Sequence, residues 1–251
     1  YLFSDSVDVG YSYAWVRPPV DVYAPILSPF SNFDGADITW ISDWHDTAID
    51  IQLLGGTMQR QREDLEIKVE PLLGANISAQ RDELTLRYGI IYDRTDAQVD
   101  TFNASEELYR SASIYSPLFA DIADSHQARN AWYRYQSLGL RWEHGDLTTI
   151  TETFHIKNTD DGYANNASGW YLSTQYRLGD FTPYLVAGAF HNEFNLKALD
   201  TILASYNSVP SGIVPALDEL RSASARSLNS FNYAQHSWTT GLRYDLLPNT
   251  A

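Results

Sequence analysis

The sequence contains no cysteine and a single methionine in 251 residues. Disulfide scaffolds, thiolate metal sites and cysteine nucleophiles are therefore excluded. Basic charge is scarce: 17 Lys and Arg stand against 32 Asp and Glu, a formal net charge of −15. A protein that neutralises phosphates along a nucleic acid needs a basic surface, so nucleic acid is not an expected partner. Lys68, Lys157 and Lys197 are the only lysines; the other cations are arginines, which suit fixed bidentate positions better than general solubility. No run approaches the ~18–20 apolar residues of a membrane-spanning helix. The most apolar stretch, residues 184–190, is itself interrupted by Gly188. Tyr1–Asp5 offers neither Met nor a basic n-region, so a secretory leader is not expected in this chain. No HExxH, GxSxG, phosphate-loop or dinucleotide fingerprint occurs, and the histidines lack spaced ligand partners. No catalytic residue, metal site or cofactor is expected.

Aromatic residues are plentiful, with 7 Trp, 17 Tyr and 10 Phe, and so is alternation with a period of two. Leu65, Ile67, Val69, Pro71, Leu73, Ala75 and Ile77 alternate with mostly polar neighbours. The same pattern runs through Leu84, Leu86, Tyr88, Ile90 and Tyr92, through Trp170, Leu172, Thr174, Tyr176 and Leu178, and through Trp238, Thr240, Leu242, Tyr244 and Leu246. Shorter runs are Ile49–Ile51–Leu53, Leu138–Leu140–Trp142 and Ile150–Phe154–Ile156, the last broken by a charge at Glu152. Period two is the signature of β-strands with unlike faces. The apolar phases often end in aromatics, as interfacial girdles do, and the polar phases carry charge in mid-strand.

Connections fall into two kinds. Turn signals lie at residues 43–46, 80–83, 144–146, 179–180 and 248–250; longer links are expected at 57–64, 95–130, 157–167 and 193–230. Short and long links alternate, which in a meander puts all turns at one end and all loops at the other. That asymmetry belongs to barrels in outer membranes. The expected fold is thus all-β: a single antiparallel, up-and-down transmembrane β-barrel over residues 1–251, with nine strands counted from Asp37 and residues 1–10 placed to supply a tenth. The two longest links also hold helical spacing, for example at Leu196, Leu199, Ile202 and Leu203, and from Pro215 to Leu220, which reads as short helices in surface loops.

Two pieces carry a resemblance. Residues 3–23, FSDSVDVGYSYAWVRPPVDVY, and residues 237–251, SWTTGLRYDLLPNTA, resemble segments of Gram-negative porin-like outer-membrane proteins. The resemblance implies a passive porin, not an enzyme, in the bacterial outer membrane. It would conduct small hydrophilic solutes or ions, be surrounded by lipid bilayer and lipopolysaccharide, and be compatible with a homotrimer. It further implies that this chain is part of a larger barrel of about 16 strands, with one loop folded inward; residues 11–36 are the place for that constriction.

Candidate pore-lining residues follow from strand phase. Arg87, Arg141, Arg177 and Arg243 share the polar phase of their strands and lie near tight turns, so they are expected at similar heights as a cationic arc. The bland reading pairs each with a neighbouring carboxylate such as Glu143 or Asp245. Asp5, Asp8 and Asp21, with Arg17 as the one base of their acidic segment, would face that arc from the inward loop. Such a transverse field sorts solutes by charge. The alternatives are an outer-membrane barrel enzyme of protease or phospholipase type, which needs a carboxylate–His or Ser–His group at the loop end, and a structural barrel plugged by its own side chains.

Overall fold

The computed structural model describes residues 33–62, 65–126, 128–159, 165–194 and 196–245. Nine strands form one antiparallel sheet in simple chain order. They are β1 (Asp34–Trp44), β2 (Thr47–Arg62), β3 (Leu65–Arg81), β4 (Leu84–Val99), β5 (Ala128–His144), β6 (Leu147–Asn158), β7 (Asn165–Tyr176), β8 (Phe181–Phe194) and β9 (Tyr233–Tyr244). The expected all-β, up-and-down antiparallel arrangement is present, and residues 65–78 and 83–94 fall in one hairpin. Among the described residues β1 and β9 are the two edges of the sheet.

The tight turns have local causes. His45 and Asp46 both adopt positive φ, 46° and 62°, the two-residue turn whose twist matches that of the strands it joins. The β5–β6 turn uses Gly145 at φ 56°, where a side chain would be strained.

The two faces of the sheet differ. One face carries Trp40, Ile51, Ile77, Tyr88, Leu138 and Trp170, register neighbours across successive strands apart from Thr153 on β6. Its large apolar side chains are exposed: Leu138 by 52% and Trp238 by 76%. The opposite, mixed face holds the sheet's own core, in which Ile150, Phe154, Ile156, Tyr171, Val186 and Phe190 pack together. Phe154 stacks between Tyr135 and Phe190 at ring separations of 6.1 and 6.3 Å.

Three sequence expectations are corrected. The Ile150–Phe154–Ile156 phase of β6 does not join the exposed apolar face; it is buried on the mixed face with Glu152. The other phase of β6, Thr149, Thr151 and Thr153, takes the exposed position. Thr151 donates to the Tyr171 carbonyl (2.7 Å) and Thr153 to that of Gly169 (3.1 Å), so these hydroxyls are satisfied without water. Second, the run from Ile67 to Ile77 is not one face. Pro71 cannot donate to the ladder, and the register slips between Val69 and Leu72, sending Ile67 and Val69 to the mixed face and Leu73, Ala75 and Ile77 to the apolar one. Third, the long link expected at 57–64 is largely strand, since β2 runs to Arg62 and β3 begins at Leu65.

Gly169 lies directly opposite Phe154. A Cβ there would sit 2.6 Å from the Phe154 ring and 3.1 Å from the Ala189 carbonyl oxygen, which is backbone and cannot swing aside. Gly169→Ala is expected to destabilise the sheet by about 1–3 kcal/mol, read as a lower urea midpoint by tryptophan fluorescence.

Candidate functional site: the mixed face and the helical cap

Register places one continuous row across the mixed face, close to the tight turns on β1–β4 and mid-strand on β6–β8: Ile41, Asp50, Ser78, Arg87, Gly139, Glu152, Tyr171, Gly188 and Ser237. Three of these are charged. Arg87 on β4 and Glu152 on β6 flank Gly139, which is buried and puts no side chain between them. Glu152 is 1% exposed; a carboxylate that deep is retained only where the surroundings answer its charge. Asp50 lies two strands from Arg87 on the other side, beyond Ser78. One register step towards the loops, Asn76 donates to Gln52 Oε1 at 3.1 Å. The mixed face is thus polar around Asp50, Asn76 and Arg87 on β2–β4, apolar nearer the loops of those strands at Met58, Ile67 and Val69, and aromatic on β6–β8.

Of the residues named from sequence, Arg87, Arg141 and Arg243 share this face, the first two on adjacent strands and Arg243 on the edge strand β9, opposite Thr182. Arg177 lies just beyond β7, exposed, with its backbone N–H donating to the Asp146 carbonyl. Arg141 meets Glu143 at 2.8 Å and Arg243 meets Asp245 at 2.8 Å. The pairing reading therefore holds for these two, and no uniform cationic arc forms. Asp5, Asp8, Asp21 and Arg17 lie outside the described residues, as does most of the 11–36 segment, whose last residues, Asp34–Ala36, belong to β1. Sequence reading missed Asp50 as a site residue and placed Glu152 on the wrong face; only cross-strand register brings them into line with Arg87.

The 95–130 and 193–230 links rise from one end of the sheet. They fold into α1 (Asp100–Ala112), α2 (Leu118–His126), α3 (Lys197–Ser205) and α4 (Val214–Asn229). Pro215 sits in the first turn of α4, where a missing N–H is tolerated. These are not separate surface helices. Phe102, Tyr109 and Ala112, Phe119 and Ile122, Leu199 and Ile202, and Leu217 and Leu228 share one buried cluster, so loops emerging four strands apart are joined in a cap. Among the described residues no helix is long and apolar enough to cross a membrane.

The cap has polar ties. Tyr109 donates to Ser224 Oγ at 3.4 Å, and burial pushes its phenol up to about 12. Glu106, 8% exposed, accepts from Arg110 (2.9 Å) and Arg129 (3.2 Å). Burial alone would raise the Glu106 pKa, but the two guanidinium hydrogen bonds outweigh it and hold the carboxyl below its ordinary value. A depressed carboxylate contributes stability above its unfolded pKa, near 4.3, and loses it as pH falls through the folded value. The cap is therefore expected to loosen below about pH 4, seen as faster acid proteolysis, with Glu106→Gln loose already at neutral pH.

Among the described residues no three His, Asp or Glu side chains gather as a metal site requires. Two histidines meet carboxylates. His144 Nδ1 lies 2.7 Å from Glu83 at the tight-turn end, and His191 lies 3.8 Å from Glu193 at the other. Neither is on the mixed face; His191 is in register with Ser168 and His155 on the opposite one.

No protein-family model matches the chain, and no curated protein shows significant similarity to it.

Proposed function

We propose that this sheet is the wall of an outer-membrane β-barrel that passes small hydrophilic solutes through a water-filled interior lined by the mixed face. One observation carries the reading: the distribution of charge between the faces. Two neighbouring rows of the apolar face run from Trp40 to His236 and from Ser42 to Trp238, and neither holds Lys, Arg, Asp or Glu. The mixed-face row that lies between those two holds Asp50, Arg87 and Glu152. A water-soluble sheet buries its apolar face; here the large apolar side chains are the exposed ones, as lipid contact demands. On β4 the apolar phase from Leu84 to Tyr92 has the length that a tilted spanning strand needs, about 9–11 residues.

A spanning sheet cannot leave an open edge in hydrocarbon, so the reading requires β1 and β9 to pair with each other or with further strands. The likeness of residues 3–23 and 237–251 to porin-like proteins fits the second arrangement. Planar-bilayer recording is the test. Stepwise, ohmic conductance from the purified full chain supports a passive channel; a chain that inserts yet never conducts supports the plugged barrel instead, a reading favoured by the packed helical cap.

A further inference from the structure

The apolar face carries one polar row near the loop end that neither the mixed face nor the cap uses. Ser168 on β7 stands directly across from His155 on β6 and from His191 on β8. Directly opposed side chains in an antiparallel pair have Cβ atoms about 4.5–5.5 Å apart, so two imidazoles flank one hydroxyl. Both rings are exposed, and Ser168 is half-buried between them. Glu193 follows His191 on the same face of β8, with Oε2 3.8 Å from His191 Nε2. A carboxylate at Nε2 favours the tautomer with its proton there, which leaves Nδ1 with the lone pair of a base. No other side chain among the described residues engages the Ser168 hydroxyl. At that Cβ separation a rotamer change brings it within hydrogen-bond reach of His191, and such bonds commonly tighten only when substrate is present.

We propose that Ser168, His191 and Glu193 act as nucleophile, base and orienting acid in the hydrolysis of carboxylic esters of lipids, a substrate class that rests on the membrane reading above. Nucleophilic catalysis by serine needs a base beside the hydroxyl and a third group that orients the base; these three residues supply them at the loop end. Ser168 Oγ adds to the ester carbonyl as His191 takes its proton. The alcohol leaves with that proton, and an acyl-serine remains. Water, deprotonated in turn by His191, splits the acyl-serine to the free acid, and the proton returns to Ser168. Position selects the substrate. Trp170 follows Ser168 on the same face of β7, and interfacial tryptophans sit at headgroup level, so the row lies where acyl chains join their headgroups. Thr153 and Ala189 flank Trp170 on the neighbouring strands, and Thr151 and Ala187 flank Leu172. These small side chains leave a trough on each side of the β7 ridge, room for an acyl chain whose ester end reaches Ser168.

The test treats the purified full chain in nonionic detergent with a fluorophosphonate, which bonds to activated serine Oγ atoms, and locates the adduct by mass spectrometry. Ser168 should react far ahead of every other serine. His191→Asn should slow that reaction about a hundredfold or more, the usual worth of a general base, and Ser168→Ala should abolish it. With p-nitrophenyl laurate in mixed micelles as substrate the same order should hold, and Glu193→Gln should lower kcat while leaving KM in place. All three side chains lie on the outward side of the sheet, so the variants keep the strand ladder, and circular dichroism verifies it. Equal reactivity of Ser168 and other exposed serines, or an undiminished rate in His191→Asn, overturns the site. An adduct at Ser168 without laurate release overturns the lipid ester as its substrate. Flotation with phosphatidylcholine vesicles reads the membrane proposal separately. A chain that floats with an inert Ser168 refutes this site alone, whereas a reactive Ser168 in a chain that does not float refutes the membrane reading and the lipid substrate together.

Discussion

Replacing Ile202 with Asp is expected to dissolve the helical cap and leave the sheet standing. Ile202 is fully buried in the cluster that joins α1 and α2 to α3 and α4. The substitution removes that packing and places an unanswered carboxyl in an apolar site, together about 4 kcal/mol or more. The cap core and the sheet core are separate clusters, so the damage should stop at the loops. Trypsin reads the result directly. Arg110, Arg221 and Arg226, held in helices of the parent, should become rapid cleavage sites, while Arg87 in β4 stays protected. If the cap stands over the mouth of a pore, the same variant should also raise bilayer conductance. Unchanged protection at the three cap arginines would show that the two loops do not depend on a common core.

Neutralising Arg87 is expected to move permeation towards cations more than neutralising any rim charge does. Arg87 shares one row of the mixed face with Asp50 and Glu152, whereas Arg141 and Arg243 are already paired with Glu143 and Asp245. Arg87→Gln leaves the row with two acids and no base. A unit charge about 8 Å from a passing ion is worth roughly 0.5–2 kcal/mol between effective dielectric constants of about 80 and 20. Cation permeability should then rise and anion permeability fall, each by roughly two- to thirtyfold by the same arithmetic, so that the cation-to-anion ratio measured from reversal potentials in a salt gradient rises about sixfold or more. Rim acids such as Asp121 and Asp124 are screened within ~8 Å at physiological salt; their neutralisation should change chiefly the low-salt conductance. Equal shifts from the two sets of variants would remove Arg87 from the pathway.

Period two made most of the sheet legible, and β4, β7 and β9 follow their sequence phases. β6 did not, because hydropathy ranks Ile150, Phe154 and Ile156 above Thr149, Thr151 and Thr153. Which phase is exposed depends on neighbours. The threonine phase aligns with Leu138 and Leu140 on β5 and with Trp170 and Leu172 on β7, and its hydroxyls bond the next strand's carbonyls. In β3 the alternation looked unbroken because the bulge at Pro71 exchanges one apolar phase for another. Helical spacing around Leu199 and Leu217 was visible in the chain. The shared core was not, since it joins residues about a hundred positions apart, as in Tyr109 to Ser224. The candidate site was legible only in part: strand phase put Arg87, Arg141 and Arg243 on the polar side, but the carboxylates that pair with or align with them are matters of cross-strand register.

The absence of native cysteine permits a direct test of which face meets lipid and which meets water. Single cysteines are introduced at neighbouring positions of two strands, Leu86→Cys and Arg87→Cys on β4, Leu138→Cys and Gly139→Cys on β5, and each full-length variant is reconstituted in vesicles. A membrane-impermeant, water-soluble thiol reagent is then added from outside. The barrel account predicts rapid labelling at positions 87 and 139 and protection at 86 and 138. Labelling at all four positions, or at 86 and 138 alone, would contradict it.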